Sequence, residues 1–288
     1  MQRPLRVSLV IPAYNEESHI AACLNAIATQ TVRPFEVIVV DNNSTDATAA
    51  IAASYGFVRI IREPKQGVVF ARDTGFDAAR GDIIGRIDVD TLLPVDWIAT
   101  VQRLFVESPE LDAVSGTVGY YDFPFKRAAN FCDVLARSYL AHFLNRAVYL
   151  YGSNMAMRRE AWKSVRTQVC HHAEWHEDID LAAHLAQMDR CRVAFSQDLK
   201  AQVSSRNVDM SFRTFYHYVA VNPRNYATHG LKPYRYMYVV IVVLLALHAP
   251  LRLIHRGYDA RSRRFSLRRA LDFSRPAHLS PLTEPPLF

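Results

Sequence analysis

The sequence predicts an α/β fold: a Rossmann-like, mostly parallel sheet covered by helices on both faces, followed by a helical, membrane-associating C-terminal region. Three observations carry this. Over the first ninety or so residues, β-branched apolar runs alternate with stripes of helical period in the order βαβαβαβ. Those runs stop abruptly at polar or acidic residues, as strands buried on both faces do. One almost wholly apolar run, Met237 to Leu247, stands near the C-terminus with arginines behind it. The chain is divided accordingly into an α/β domain over 1–205, a connecting helical region over 206–236, an apolar interfacial or re-entrant segment over 237–255, and a basic, proline-containing tail over 256–288.

The 288 residues are 50% hydrophobic and 22% charged, enough for one ordinary globular domain with an appendage. The net charge of +6 suits an anionic partner without choosing among nucleotide, nucleic acid and acidic lipid. Cys23, Cys132, Cys170 and Cys191 form no C-x-x-C, so neither a zinc knuckle nor a disulfide framework is expected. Met1 leads through Gln2-Arg3-Pro4 straight into a strand, so no signal peptide is expected and the α/β domain is assigned to the cytoplasm.

Val7 to Ile11 reads as a strand stopped by Pro12, and the loop Pro12-Ala13-Tyr14-Asn15-Glu16 is suited to stacking on and hydrogen-bonding a nucleoside. Ile20, Cys23, Leu24 and Ile27 then make a helical stripe. Phe35 to Val40 repeats the scheme, and Asp41 emerges at the sheet's edge, where it can accept the imide hydrogen of uracil or an amino hydrogen of guanine. Asn43, Ser44 and Asp46 serve as cap residues for an alanine-rich helix ending at Gly56. After a third strand, Val58 to Ile61, Lys65-Gln66-Gly67 opens a helix through Ala79 that carries Arg72 and Asp73, an arrangement suited to an anion.

Ile83, Ile84 and Ile87 form the fourth strand, which ends in Asp88-Val89-Asp90. Extended backbone there points both carboxylates one way, one for a divalent cation and the other for a sugar hydroxyl or water. A solvated turn capping the helix near Trp97 is the plainer alternative. Neither G-x-G-x-x-G nor a P-loop is present.

Further on, a helix is expected from Pro94 and Asp96 to about Val106, a strand over Ala113 to Gly119, a long helix over Lys126 to Ala147, a strand-like stretch over Tyr149 to Arg159 and a short helix over Glu160 to Val165. Gly152 would admit an acceptor close to the backbone. His172 and His176 stand i, i+4, but the glutamate of H-E-x-x-H is missing, so zinc is not assigned to them. Two short strands, Arg192 to Phe195 and Ala201 to Ser204, precede Arg206 and Arg213, which suit either a diphosphate or a solvated basic face.

Val7 to Glu16, Val39 to Asp46, Gly67 with Ala71-Arg72-Asp73, Ile87 to Asp90, and Glu177-Asp178 with Asp180-Leu181 resemble, in order, the motifs of the family 2 glycosyltransferases with the GT-A fold. The resemblance covers about two thirds of the chain; Asn42-Asn43 stands where Asp-Gly is common and Asp73 where Asn is common. It implies an inverting, metal-dependent enzyme that moves a hexose from a nucleotide-sugar donor, UDP-linked by family frequency. Donor contacts are implied for Pro12, Ala13, Tyr14, Glu16, Asp41, Gly67, Arg72, Asp88, Val89 and Asp90, with Mg²⁺ or Mn²⁺ held by Asp90 and Asp88. Asp178 is implied as the base, since an attacking hydroxyl must shed its proton. Acceptor contacts fall to Gly152, Ser153, Asn154, His176 and Glu177. A glycan or lipid-linked acceptor of the cell envelope is implied, and no nucleic-acid partner. Gln-x-x-Arg-Trp is absent, so a single addition is expected. A sugar nucleotidyltransferase, which usually opens with a glycine-rich basic loop, and an inactive glycan- or nucleotide-binding protein are the alternatives.

The apolar run is short for a span: His248 and Pro250 interrupt it and Arg252 ends it. A full crossing would carry the basic tail away from the cytoplasm, against the positive-inside tendency. A peripheral or monotopic segment in the inner leaflet, with arginines on anionic headgroups, fits both facts, and a buried helix with a basic surface tail is the competing reading.

Overall fold

The computed structural model describes residues 3–143, 150–171, 176–188, 191–230, 234–260 and 262–272. Seven strands form one sheet in the order β3-β2-β1-β4-β6-β5-β7. They are β1 (Val7–Ala13), β2 (Glu36–Asp41), β3 (Val58–Arg62), β4 (Ile83–Arg86), β5 (Ala113–Tyr120), β6 (Met155–Arg158) and β7 (Val193–Val203). All run parallel except β6, which is antiparallel to both β4 and β5.

The period of two along the strands sorts the core into two layers. Val7, Leu9, Ile11 and Ala13 face α1 (Ile20–Ala28), α2 (Thr48–Ala53) and α4 (Trp97–Glu107). Val10, with Ile38 and Val40, faces α3 (Val68–Ala78), α6 (Arg159–Val165) and α7 (Glu177–Gln187). Helices thus cover both faces, which is why the strands read as continuous apolar runs rather than alternating ones.

The boundaries differ from expectation in instructive places. β1 continues through Pro12, which lies in register with Val40. Val7 and Ala13 accept hydrogen bonds from the β2 side, so Pro12 turns its nitrogen toward the β4 side, where pairing has already ended at Val10 opposite Arg86. The two short strands expected near 192 and 204 are one strand, β7, whose register against β5 jumps from Ser196 to Lys200 across a bulge. The strand-like stretch from Tyr149 reduces to β6, preceded by a turn in which the Asn154 amide donates to the Tyr151 carbonyl. The expected helix from Lys126 is α5 (Lys126–Phe143), and its continuation to Ala147, like His172, lies outside the described residues.

The C-terminal part begins with a 3-10 turn at Arg206–Asp209, then α8 (Phe212–Thr228) and α9 (Tyr234–Gly257). A small hairpin of β8 (Tyr258–Asp259) and β9 (Arg264–Phe265) and the short α10 (Leu267–Ala270) follow. His248 and Pro250 do not break α9: it is one helix of 24 residues. Proline in a helix costs about 3 kcal/mol, and contacts on both sides of it hold α9 together. Ile241 packs on Phe215 and Val219 of α8, the His248 ring stacks on Phe215 at 4.2 Å, and Arg252 and Arg256 both bond Asp209, at 3.1 and 3.0 Å.

Candidate active site at the carboxyl edge of the sheet

In a parallel sheet the loops that leave the carboxyl ends of the strands gather along one rim. The single antiparallel strand adds to that rim, because β6 starts there; the Leu150–Asn154 segment before it therefore meets the loops after β1, β2 and β4.

The first two loops are laced together. The Asn15 amide donates to Ser44 Oγ at 3.1 Å, the Thr45 amide donates to Asn15 Oδ1 at 2.8 Å, and the Glu16 amide donates to Thr48 Oγ1 at 2.7 Å. Asp41 is buried, with one carboxylate oxygen accepting from the Ser44 amide at 3.1 Å, while Tyr14 is half exposed above it. The unusual Asn42-Asn43 pair has a physical basis. Asn43 sits at φ 66°, where asparagine is the best substitute for glycine. Asn42 clamps the next loop: its amide nitrogen donates to the carbonyls of Glu63 and Lys65 at 2.9 and 2.7 Å, and its oxygen accepts from the Gly67 amide at 2.7 Å. Gly67 caps α3 at φ 138°, a backbone conformation that L side chains avoid.

Two ladders of alternating charge cross the rim. In the first, His19 bonds Glu16 at 3.0 Å, Glu16 takes both ends of the Arg206 guanidinium at 2.7 and 2.8 Å, and Arg206 Nε reaches Asp90 at 2.9 Å. Burial opposes the charge on Glu16, yet hydrogen bonds from His19 and Arg206 hold its carboxyl below the ordinary value. Asp90 is buried more deeply than Arg206 compensates, and its carboxyl is pushed up to about 6. In the second ladder, Arg72 holds Asp73 at 2.7 Å and Glu177 at 3.3 Å, Arg86 holds Glu177 at 2.7 Å, and Arg86 reaches Asp88 at 3.0 Å. Asp88 is the open end of this ladder, with 40% of its side chain exposed.

Asp178 stands in the first turn of α7, one residue beyond Glu177. Its Oδ1 accepts from its neighbour's amide, Ile179, at 2.9 Å and its Oδ2 from the Gly152 amide at 3.0 Å. Burial first, and then the neighbouring Glu177 charge, raise its carboxyl above the ordinary value. Asp88, Glu177, Asp178 and Asp90 all act electrostatically on the one guanidinium of Arg86, so the acids converge on a single rim.

Several residues take other places than the sequence reading assigned. Asp88 to Asp90 is not extended: the Thr91 amide donates to the Asp88 carbonyl at 3.1 Å, making a turn, because the chain leaves β4 to bridge Leu92 onto Gln202 of β7. Val89 is buried in the core, and the Ala13 carbonyl accepts from the Asn42 amide at 2.8 Å. Arg72 is fully buried and faces Glu177 instead of the cleft. The space beside Gly152, expected to admit an acceptor, is filled by the Arg86 guanidinium, which a Cβ there would strike. Ser153 and Asn154 are buried; Asn154 donates to the Thr117 and Leu199 carbonyls at 2.8 and 2.9 Å and accepts from Trp97 Nε1 at 2.8 Å. His176 lies edge-on to Tyr218 at 4.7 Å and contacts its carbonyl at 2.9 Å. Sequence reasoning missed Arg86 altogether, although an arginine inside Ile-Ile-Gly-Arg-Ile demands an acidic partner on burial.

The donor atoms at Asp88 and Asp90 are hard oxygens, and the positive charge of Arg206 already bridges Asp90 and Glu16. The ligand type fits a divalent cation of the Mg²⁺ or Mn²⁺ kind, which would share Asp88 and Asp90 with Arg86 and Arg206.

An open, mostly parallel α/β sheet with an acidic cleft at its carboxyl edge defines the class. The family model for glycosyl transferase family 2 matches residues 8–166, and the chain belongs to that family. The curated relatives it resembles include the glycosyltransferase AglE of Haloferax volcanii, 37% identical over 121 residues, or 40% of each chain. Another is the putative glycosyltransferase EpsH of Bacillus subtilis, 33% identical over 109 residues, which are 36% of this chain and 32% of EpsH. The matched stretch thus spans less than half the length of these relatives. Among solved structures, the mannosyltransferase PcManGT from Pyrobaculum calidifontis, in complex with GDP-Man and Mn²⁺, superposes with a TM-score of 0.61 at 20% identity, covering 88% of this chain and 73% of its own. Glucosyl-3-phosphoglycerate synthase from Mycobacterium tuberculosis, in complex with Mn²⁺, UDP and glucosyl-3-phosphoglycerate, gives 0.57 at 20% identity, covering 79% of this chain and 81% of its own. The fold is the GT-A fold, as the ordered motifs imply.

Proposed function

We propose that the chain transfers a single sugar, with inversion, from a nucleotide-sugar donor to a hydroxyl of a glycan or lipid-linked acceptor. The observation that carries this is the gathering of four acids at one rim: Asp88 and Glu177 on Arg86 at 3.0 and 2.7 Å, Asp178 on the amide of Gly152, which the Arg86 guanidinium abuts, and Asp90 on Arg206. Tyr14 and Asp41 would hold the base, by stacking and by the Asp41 carboxylate. Asp90 and Asp88 would hold the metal, which when bound neutralises charge growing on the leaving diphosphate. Arg206, now shared by Asp90 and Glu16, would face that diphosphate. Asp178 takes the proton of the acceptor hydroxyl; the Gly152 and Ile179 amides aim its carboxylate. Arg72, Glu177 and Arg86 act by positioning: they fix the first turn of α7 against β4, and so set the distance between base and metal carboxylates.

The test is a panel of nucleotide sugars measured by thermal shift and calorimetry with Mn²⁺. One nucleotide class, UDP-linked by expectation, should raise Tm with Mn²⁺ and not with EDTA. No shift from any member would remove the reading.

We place the protein at the inner face of a membrane. Tyr238–Gly257 has a mean hydropathy of 1.9 with 17% of that window buried, and the buried side chains among the described residues of α9 are Ile241, His248 and His255. The exposed faces include Val239, Val242 and Val243 of α9, Phe131 and Leu135 of α5, and Leu267 of α10. Ile241 and, near the other end, Arg252 and Arg256 both contact the rest of the protein, so α9 lies along it, which supports a segment in one leaflet over a full crossing. Those two arginines bond Asp209; the headgroup role passes to the exposed Arg263, Arg264 and Arg268. In flotation with anionic vesicles, the full chain should rise with the lipid and a chain lacking residues 234–288 should stay behind. Equal partitioning of the two would count against membrane docking.

A further inference from the structure

Away from the rim, on the far side of α7, four side chains of different chemistry point at one another. They are Cys170, in the segment after α6; Asp180 and His184, one turn apart on α7; and His229, which caps the C-terminal end of α8. One ligand atom from each lies within 4.8 Å of all the others. The separations are Cys170 Sγ to His184 Nε2 3.7 Å, His184 Nε2 to Asp180 Oδ1 3.5 Å, and His229 Nε2 to Asp180 Oδ1 2.9 Å. Around a tetrahedral zinc, bond lengths of ~2.0–2.3 Å place neighbouring donor atoms about 3.3–3.6 Å apart. These three spacings bracket that value, and the others are at most 4.8 Å.

We propose that Cys170, Asp180, His184 and His229 bind a structural Zn²⁺ ion, a site separate from the cation at the donor cleft. The donor set of one sulfur, two imidazole nitrogens and one carboxylate oxygen is borderline-soft, which suits zinc and not Mg²⁺ or Mn²⁺. With the thiol deprotonated, thiolate and carboxylate cancel the charge of the ion, so the complex is neutral and suits the buried place of Asp180. The orienting contact is present: Asp180 Oδ2 accepts from the Cys170 amide at 2.9 Å, which leaves Oδ1 turned to the histidines. Four protein ligands close the coordination sphere, so this zinc holds structure and carries no water for catalysis.

The site explains how the proposed base is braced. Asp180 lies in the same first turn of α7 as Asp178, and α8 packs along that turn, with Asn225 Nδ2 donating to the His176 carbonyl at 3.1 Å. A zinc ion joining α7 to the end of α8 clasps the base-bearing turn. The inference stands whether or not the chain transfers sugar.

The test uses the full chain, purified without a polyhistidine tag and desalted, with zinc measured by plasma mass spectrometry. About one zinc per chain is expected, retained in Asp90→Ala and lost in both Cys170→Ser and His229→Asn. Stripping wild type with 1,10-phenanthroline should lower Tm, and Zn²⁺ but not Mg²⁺ should restore it; this readout needs no variant to fold. Cobalt put in place of zinc should show the intense visible bands of a tetrahedral ion and a thiolate charge-transfer band, the latter absent from Cys170→Ser. A wild type that holds no zinc and whose Tm ignores the chelator would reduce the cluster to a hydrogen-bonded histidine pair on Asp180 and overturn the proposal, as would cobalt spectra of an octahedral ion.

Discussion

Asp90→Ala is expected to lower metal-dependent donor turnover by about 10²- to 10⁴-fold, equivalent to ~3–5 kcal/mol of transition-state stabilisation. The fold should survive the change, because Arg206 keeps its two-pronged contact with Glu16 when Asp90 is gone. Loss of turnover with an unchanged Tm therefore separates a ligand role from a structural one. Calorimetry of Mn²⁺ with the nucleoside diphosphate present should show weaker binding in the variant. The pH dependence follows from the same carboxyl, which burial pushes up to about 6. Protons compete with the cation at Asp90, so wild-type metal affinity should fall as pH drops below about 6, approaching tenfold per pH unit, and level off above it. Full turnover in Asp90→Ala would assign the cation elsewhere.

Asp178→Asn should keep donor and metal binding but lose transfer to a hydroxyl by about 10²- to 10⁴-fold, the usual contribution of a general base. Asparagine matches the carboxylate in shape and can accept from either the Ile179 or the Gly152 amide, though not both, so the loss should fall on kcat more than on donor affinity. Burial and Glu177 raise the Asp178 carboxyl, so the acid limb of the wild-type rate profile should lie above the ordinary aspartate value, with activity lost as pH falls through it. With saturating Mn²⁺, which overcomes proton competition at Asp90, that limb should vanish from the residual activity of the variant. Undiminished transfer would mean another base, or a phosphate acceptor that needs none.

What the linear order of residues made legible is local. Val7 to Ile11 and Phe35 to Val40 declared themselves as buried strands, and Ile20 to Ile27 as a helix, because side-chain period and backbone period are coupled within a few residues. Asp41 and Asp88 could be marked for the same reason, since each follows directly where an apolar run ends and strand ends in a parallel sheet share a rim; Asp178, in the first turn of a helix, was marked only by resemblance to the family's Glu-Asp motif. Asn42 and Asn43 were visible only as departures; the bonds to Glu63, Lys65 and Gly67 that justify Asn42 come from a loop twenty residues on.

By itself, then, the sequence determined the parallel α/β architecture, the order of its motifs and the membership of an acidic rim. Tertiary structure alone decided which of those polar residues turn inward. Arg72 and Glu177, 105 residues apart, satisfy each other instead of a substrate; Arg86 occupies the ground beside Gly152; α9 runs unbroken through Pro250 because contacts on both sides of the proline hold it. Cys170 and His229 meet on α7 without any spacing that announces a metal. Periodicity is a property of neighbours in the chain, whereas charge pairing and metal coordination depend on distances through space between segments whose approach no short pattern encodes.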